Sequence, residues 1–205
     1  MGLPADRLKA SLDALAAIEP AFASALERVG YPEPRISERG YQTLLRTIVG
    51  QQISIHAARS VWDKLDAAVG GCGDPARLLA ASDDTLRGAG LSRQKIAYAR
   101  SLAEEVTSGR LDLENLAEAD DAAVAQLVTI KGIGRWSAEI YLLFAEGRED
   151  IWPAGDLAVQ IELGRILALP EKPGEAMVRE LSEPWRPHRG ALAVLCWHHY
   201  KTPVL

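Results

Sequence analysis

Apolar residues recur at intervals of three and four along the chain, and no segment alternates apolar and polar positions long enough to form a strand. That period points to an all-α fold, because a stripe spaced near 3.6 residues cannot line one face of a sheet. From Tyr41 the stripe runs through Leu44, Leu45, Ile48 and Val49, and the next residue on that face is Gln52 rather than an aliphatic. Ser54 is placed to cap the following helix, which repeats the pattern at Ala57, Ala58, Val61, Trp62 and Leu65 until GGCGDP stops it. The spacing predicts two short helices over 5–29 divided at Pro20, and further helices over 75–87, 92–108 and 121–128. A helix with Trp136, Ile140 and Phe144 on one face comes next. The helix opening at Asp156 carries Leu157, Val159, Ile161, Leu163 and Ile166 on nearly every side, which marks it as central, and a last helix covers 188–200.

A chain of 205 residues makes one domain or two small lobes, and with 48% hydrophobic residues it can bury about two thirds of the surface its unfolded form exposes. No apolar run approaches the ~18 residues of a membrane span, and the start MGLPADRLKA lacks the apolar core of a secretory signal. A soluble cytoplasmic protein, in a bacterial-type cytosol or nucleoid, is therefore expected. Cys72 and Cys196 are too few for a disulfide framework, a four-cysteine zinc site or an iron–sulfur cluster. His198 and His199 point about 100° apart on one helix and cannot share a metal as an i, i+4 pair would, so surface or partly buried imidazoles are expected. The chain has no GxSxG, Walker loop or Rossmann GxGxxG, and Cys196 lacks a patterned histidine partner. A net charge of −5 excludes nucleic-acid binding driven by a basic surface but leaves room for a local contact.

The turn Thr129-Ile130-Lys131-Gly132-Ile133-Gly134-Arg135 supplies such a contact. Its two glycines permit positive φ and leave N–H groups unshielded at the start of the next helix, where the dipole also favours an anion. Lys131 and Arg135 flank this phosphate seat; a glycine-capped turn that binds nothing is the competing reading. The sequence GAGLS at 88–92 is the only internal echo of this turn. Asp156 reads on its own as a helix cap.

With Trp136-Ser137-Ala138 after the turn and Pro153-Ala154-Gly155-Asp156 further on, the chain resembles the helix-hairpin-helix/Gly-Pro-Asp superfamily of base-excision DNA glycosylases. The resemblance runs from YQTLLRTIVGQQIS through LVTIKGIGRWSAEIYLLFA and DIWPAGDLAVQ to PHRGALAVLCWHHY, and is closest to the 3-methyladenine DNA glycosylase II, or alkylbase, branch in a compact form. It implies two helical lobes around a central cleft, discontinuous in sequence and counted as a single domain over 1–205, with the hairpin at about 128–137. The implied function is monofunctional hydrolysis of the N-glycosidic bond of alkylated purines in duplex DNA by base flipping, the first step of base-excision repair. A glycosylase for another damaged base and a noncatalytic helix-hairpin-helix DNA-binding module are the alternatives.

The resemblance carries roles to individual residues. Asp156 becomes the catalytic carboxylate. Trp136 stands where lyase-competent relatives place a Schiff-base lysine, so no strand cleavage is expected unless Lys131 or another amine substitutes. Trp136 and Trp197 wall the base pocket, with a core tryptophan as the other reading of Trp197. Ile140, where some relatives carry an aromatic residue, and its neighbour Tyr141 are further pocket candidates; Tyr200 is a remoter one. Gln52 is the wedge that fills the gap left by a flipped base, against a reading in which it bonds helix-end carbonyls. Leu91 is a candidate to press on the opposite strand.

Lys131, Gly132, Ile133, Gly134, Arg135 and Ser137 form the DNA-binding hairpin, in which Lys131 replaces a frequent proline. The carbonyls of Val128, Ile130 and Ile133 are the implied ligands of a structural Na or K ion, and no cofactor is required. Arg186 or Arg189 lies near phosphates or serves as a cap. The expected partner is double-stranded DNA containing damaged bases, bound by a monomer, with no membrane association.

Overall fold

The computed structural model describes residues 2–202, and among them every regular element is helical. In chain order these are α1 (Ala5–Ile18), α2 (Pro20–Val29), α3 (Tyr41–Gly50), α4 (Ile55–Val69), α5 (Pro75–Ala80), α6 (Asp83–Gly88), α7 (Arg93–Thr107), α8 (Asp120–Leu127) and α9 (Arg135–Tyr141). A π-helical turn over Leu142–Glu146, α10 (Leu157–Ile166), α11 (Glu175–Leu181), a 3₁₀ turn over Glu183–Trp185 and α12 (Arg189–Lys201) complete it. No helix among the described residues is long and apolar enough to cross a membrane. The chain divides into two compact units. One joins the described residues up to Ser37 with those from Leu142 onward, and the other is Glu38–Tyr141.

Glu38–Tyr141 is built around α7, which packs on α3 and α5. Its apolar face meets the stripes of the neighbouring helices in a core of Leu44, Leu45, Ile48, Leu65, Leu78, Leu86 and Leu102. Short polar side chains set the helix starts: Ser54 accepts from Ala57 N, Asp74 from Ala76 N and Ser92 from Lys95 N. The helix expected over 75–87 is two, because Ser82 accepts from Thr85 N and starts α6 afresh. Arg100 of α7 secures the break by donating to the carbonyls of Leu79 and Ala81. Leu91 is buried in this core, so it is not available to press on a DNA strand.

The other unit packs α12 against α1, α2 and α10. Residues Gly190–Trp197 are all buried, and Phe22 meets Trp185 edge to face at 4.9 Å. Arg189 grips Asp150 through both carboxylate oxygens at 2.7 and 2.8 Å, and Arg186 also reaches Asp150 and Glu183. These carboxylates occupy the two arginines that the sequence offered to phosphates.

The helix expected to be apolar all round has a wet face. Leu157 and Arg165 are exposed and Ile161 half-buried, while Gln160 and Glu162 point inward. Glu162 is fully buried and bonds His199 Nδ1 at 2.5 Å and Arg165 Nη1 at 2.6 Å, tying α10 to α12. His199 is thus a buried core residue rather than a surface imidazole. We predict that His199→Leu destabilises the protein by about 3–5 kcal/mol, since it strips a buried carboxylate of a partner, and that Glu162→Leu added to it recovers most of the loss. Urea denaturation of the single and double variants checks this.

Candidate functional site

In Glu38–Tyr141 the hairpin joins α8 to α9. Its backbone turns through Ile130 N to Leu127 O and Ile133 N to Ile130 O, and the Lys131 N–H donates to the buried Ser101 hydroxyl on α7 at 3.1 Å. Gly132 has φ of +85°, and a Cβ there would lie 2.1 Å from Tyr98 Cδ2, so both conformation and space demand glycine. Gly134 differs. It is not in the positive-φ region, an added Cβ would meet nothing within 4 Å, and its carbonyl accepts from Ala138 N. The expectation of two positive-φ glycines therefore holds for the first alone, while the second keeps open the space before the first turn of α9, whose N–H groups have no intrahelical acceptors.

Gln51, rather than Gln52, reaches the hairpin: its Nε2 donates to the Gly132 carbonyl at 2.8 Å. Gln52 is exposed in a left-handed conformation at φ of +57°, at the tip between α3 and α4. The carbonyl-bonding role weighed for Gln52 thus belongs to its neighbour. Only the break in the stripe marked the pair in sequence.

Two hairpin expectations and one pocket expectation change. Arg135 is committed to Asp121 at 2.6 Å and Glu139 at 2.9 Å, and these carboxylates compete with a phosphate for it. Ile133 is buried and its N–H is bound to Ile130, so it offers DNA neither side chain nor amide. Tyr141 is buried, and its hydroxyl accepts from Gly40 N at 2.8 Å, which closes it to a base.

Lys131 is exposed, Ser137 and Ile140 are half-buried, and Trp136 is 47% exposed at the second position of α9. The Ile130 carbonyl, although bonded to Ile133, keeps a second lone pair that a monovalent cation could use together with the carbonyls of Val128 and Ile133. No cluster of histidine, cysteine and carboxylate side chains suited to a metal occurs among the described residues.

The other unit holds Asp156, half-buried at the end of a loop in which Ile151, Trp152, Pro153 and Ala154 are buried. Asp156 Oδ1 accepts from Val159 N at 3.0 Å, capping α10, and from Trp197 Nε1 at 3.1 Å. Gln160 Nε2 donates to the Ala154 carbonyl at 2.9 Å and its Oε1 accepts from Lys172 Nζ, which braces the turn before Asp156. The carboxylate is thereby aimed by groups on both sides.

Trp197 is only 8% exposed, its ring tilted against Phe144 at 5.6 Å with the Arg35 guanidinium 5.8 Å away. Of the two readings of Trp197, its burial favours the core residue, here one that anchors Asp156. Cys196, beside it, has its thiol pushed far above the usual range by burial and by the carboxylates of Glu162 and Asp156. Burial and Asp66 push Cys72 up to about 12. Neither sulfur is a nucleophile at neutral pH. Tyr200 is exposed, and His198 bonds the Val29 carbonyl at 2.8 Å.

Residues 45–187 match the family model described as HhH-GPD superfamily base excision DNA repair protein. The chain is 31% identical over 169 residues to DNA-3-methyladenine glycosylase 1 of Schizosaccharomyces pombe, a match covering 80% of this chain and 73% of that protein. Its fold is similar to the crystal structure of a DNA-3-methyladenine glycosidase from Bacillus halodurans, with a TM-score of 0.84, 30% identity and coverage of 94% and 89% of the two chains. It is also similar to the S. pombe 3-methyladenine DNA glycosylase Mag1 in complex with abasic DNA, with a TM-score of 0.75, 26% identity and coverage of 93% and 95%.

Proposed function

Since the chain belongs to the HhH-GPD superfamily of base excision DNA repair proteins, we propose that it is a monofunctional DNA glycosylase, hydrolysing the N-glycosidic bond of alkylated purines of the 3-methyladenine type in duplex DNA. The observation that carries this reading is the Asp156 carboxylate, held by the Val159 amide and the Trp197 indole. As the base departs, positive charge builds on the deoxyribose. A preorganised carboxylate stabilises that charge and orients the water that adds to C1′ while giving up a proton. The leaving purine, already cationic through alkylation, departs with the bonding electron pair.

Trp136 offers an exposed aromatic face to such an electron-poor ring, an attraction of about 0.5–2 kcal/mol, and has no amine with which to cleave the strand. The amides at Gly134 and the first turn of α9, with Lys131 beside them, take a phosphate, and a monovalent cation on the Val128, Ile130 and Ile133 carbonyls would add positive charge there. Gln52, exposed at its tip, fills the gap left by the flipped base. The protein acts as a cytoplasmic monomer without a cofactor.

The test is incubation with methylated duplex DNA, with free bases resolved by chromatography and the strand by denaturing electrophoresis. Release of methylpurines from strands that stay intact until alkali treatment is expected. Release of other damaged bases alone would shift the reading to another lesion, and binding without release would reduce the protein to a binding module.

The Trp197 contact gives a sharper expectation. Trp197→Phe keeps a ring against Phe144 but removes the donor to Asp156. Loss of a hydrogen bond to a charged group is worth about 1.5–3 kcal/mol, so kcat should fall roughly tenfold to a hundredfold while DNA affinity holds. Single-turnover base release beside a binding titration checks this.

A further inference from the structure

Two residues before Gln51, the end of α3 forms one wall of a groove of about 530 Å³, separate from the hairpin, whose other wall is α4. Its floor is Trp62, buried, with the Arg46 guanidinium 3.8 Å over the ring centre. Arg59 stands one turn before Trp62 and Asp63 on α4, and Ile55 at the rim is 92% exposed.

Two features set this groove apart. First, neither Arg46 nor Arg59 makes an ion pair among the described residues, although Asp63 shares the groove. In the same unit Arg77, Arg87, Arg100, Arg110 and Arg135 each reach a carboxylate. A chain that neutralises most of its arginines while carrying a net charge of −5 has here left two uncompensated in one place. Secondly, an almost fully exposed isoleucine stands on the same rim, three residues after the left-handed Gln52. A guanidinium held over an indole keeps its in-plane N–H donors for a second partner, and that planar fork suits a phosphate.

We propose that this groove takes a phosphodiester of the DNA backbone, bound by Arg46 and Arg59 over Trp62, with Ile55 against the adjoining sugar. The proposal rests on the DNA-binding part of the reading above and is independent of the chemistry at Asp156. Charge complementarity calls for an anion, and continuity with the hairpin selects DNA as its source. The groove residue Val49 and the hairpin-bound Gln51 are two residues apart, at most about 7 Å of chain. Each strand of a duplex carries a phosphate for about every 3.4 Å of helix axis, so DNA seated on the hairpin presents others within reach. An acidic protein segment is the competing occupant.

The experiment measures affinity for undamaged duplex DNA across a salt series for the unaltered protein, for Arg46→Gln/Arg59→Gln, and for Lys64→Gln, a charge on α4 outside the groove. The double variant should bind on the order of tenfold more weakly at low salt, with the slope of log K against log salt reduced by about 1 to 2, and Lys64→Gln should match the unaltered protein. Thermal melts confirm that each variant is folded. Unchanged affinity and slope overturn the proposal. So does weakening with the slope intact, which would assign the arginines to packing. Arginine-dependent capture of poly-glutamate with no effect on duplex binding would give the groove to an acidic protein segment and also overturn it. Base release by the unaltered protein is scored separately, so a chain that releases no base yet shows the arginine-dependent slope keeps the groove and loses the glycosylase.

Discussion

Asp156→Asn is expected to lower the single-turnover rate of methylpurine release by on the order of 10²–10³ or more, with the melting temperature nearly unchanged. Asparagine has the same shape, caps helices as well as aspartate does, and keeps a carbonyl oxygen for the Val159 amide and the Trp197 indole. The substitution therefore removes the charge and leaves the scaffold. That separates two roles which coincide in the native protein, where one oxygen both starts α10 and is anchored by α12. A rate that survives the change would restrict Asp156 to capping. A rate lost together with the melting transition would mean that the cap, and not the charge, had been tested.

The two hairpin glycines should respond in opposite ways. Gly132→Ala places a methyl group 2.1 Å from Tyr98 Cδ2 in a backbone at φ of +85°. Left-handed strain of roughly 1–2 kcal/mol and overpacking of roughly 1–3 kcal/mol act together, so a loss of about 2–5 kcal/mol in urea denaturation is expected. Swinging the Tyr98 ring aside would also break the hydrogen bond its hydroxyl accepts from Gln94 at 2.5 Å. Gly134→Ala meets nothing within 4 Å and should unfold within about 0.5 kcal/mol of the unaltered protein. Its methyl group would instead project into the space assigned to a phosphate, and duplex affinity should fall. Equal stability losses in both variants would refute the division of labour, and unchanged DNA binding in Gly134→Ala would remove the phosphate from the turn.

What the linear sequence determined was local. Helical stripes with a period of 3.6 assigned the all-α class, and Ser54 and Asp156 announced their helices because a cap is satisfied within three residues of itself. The hairpin was legible for the same reason, since its glycines and the turn they form lie within one short segment. The break between α5 and α6 was legible in principle from Ser82, but the continuing apolar stripe concealed it.

What only tertiary structure decided was which partner each side chain meets. Neighbouring helical residues point about 100° apart, so a shift of one position exchanges roles. Gln51 rather than Gln52 holds Gly132, and Tyr141 turns inward to Gly40 while Trp136 stays exposed. The bonds between α10 and α12 also join residues far apart in sequence: Trp197 to Asp156, which aims the candidate catalytic group, crosses 41 residues and His199 to Glu162 crosses 37. No period or spacing encodes such a pair, because it arises only where α12 packs on α10. Arg135, Arg186 and Arg189 teach the same point through charge: a cation reads as a phosphate ligand until folding shows which carboxylate has taken it.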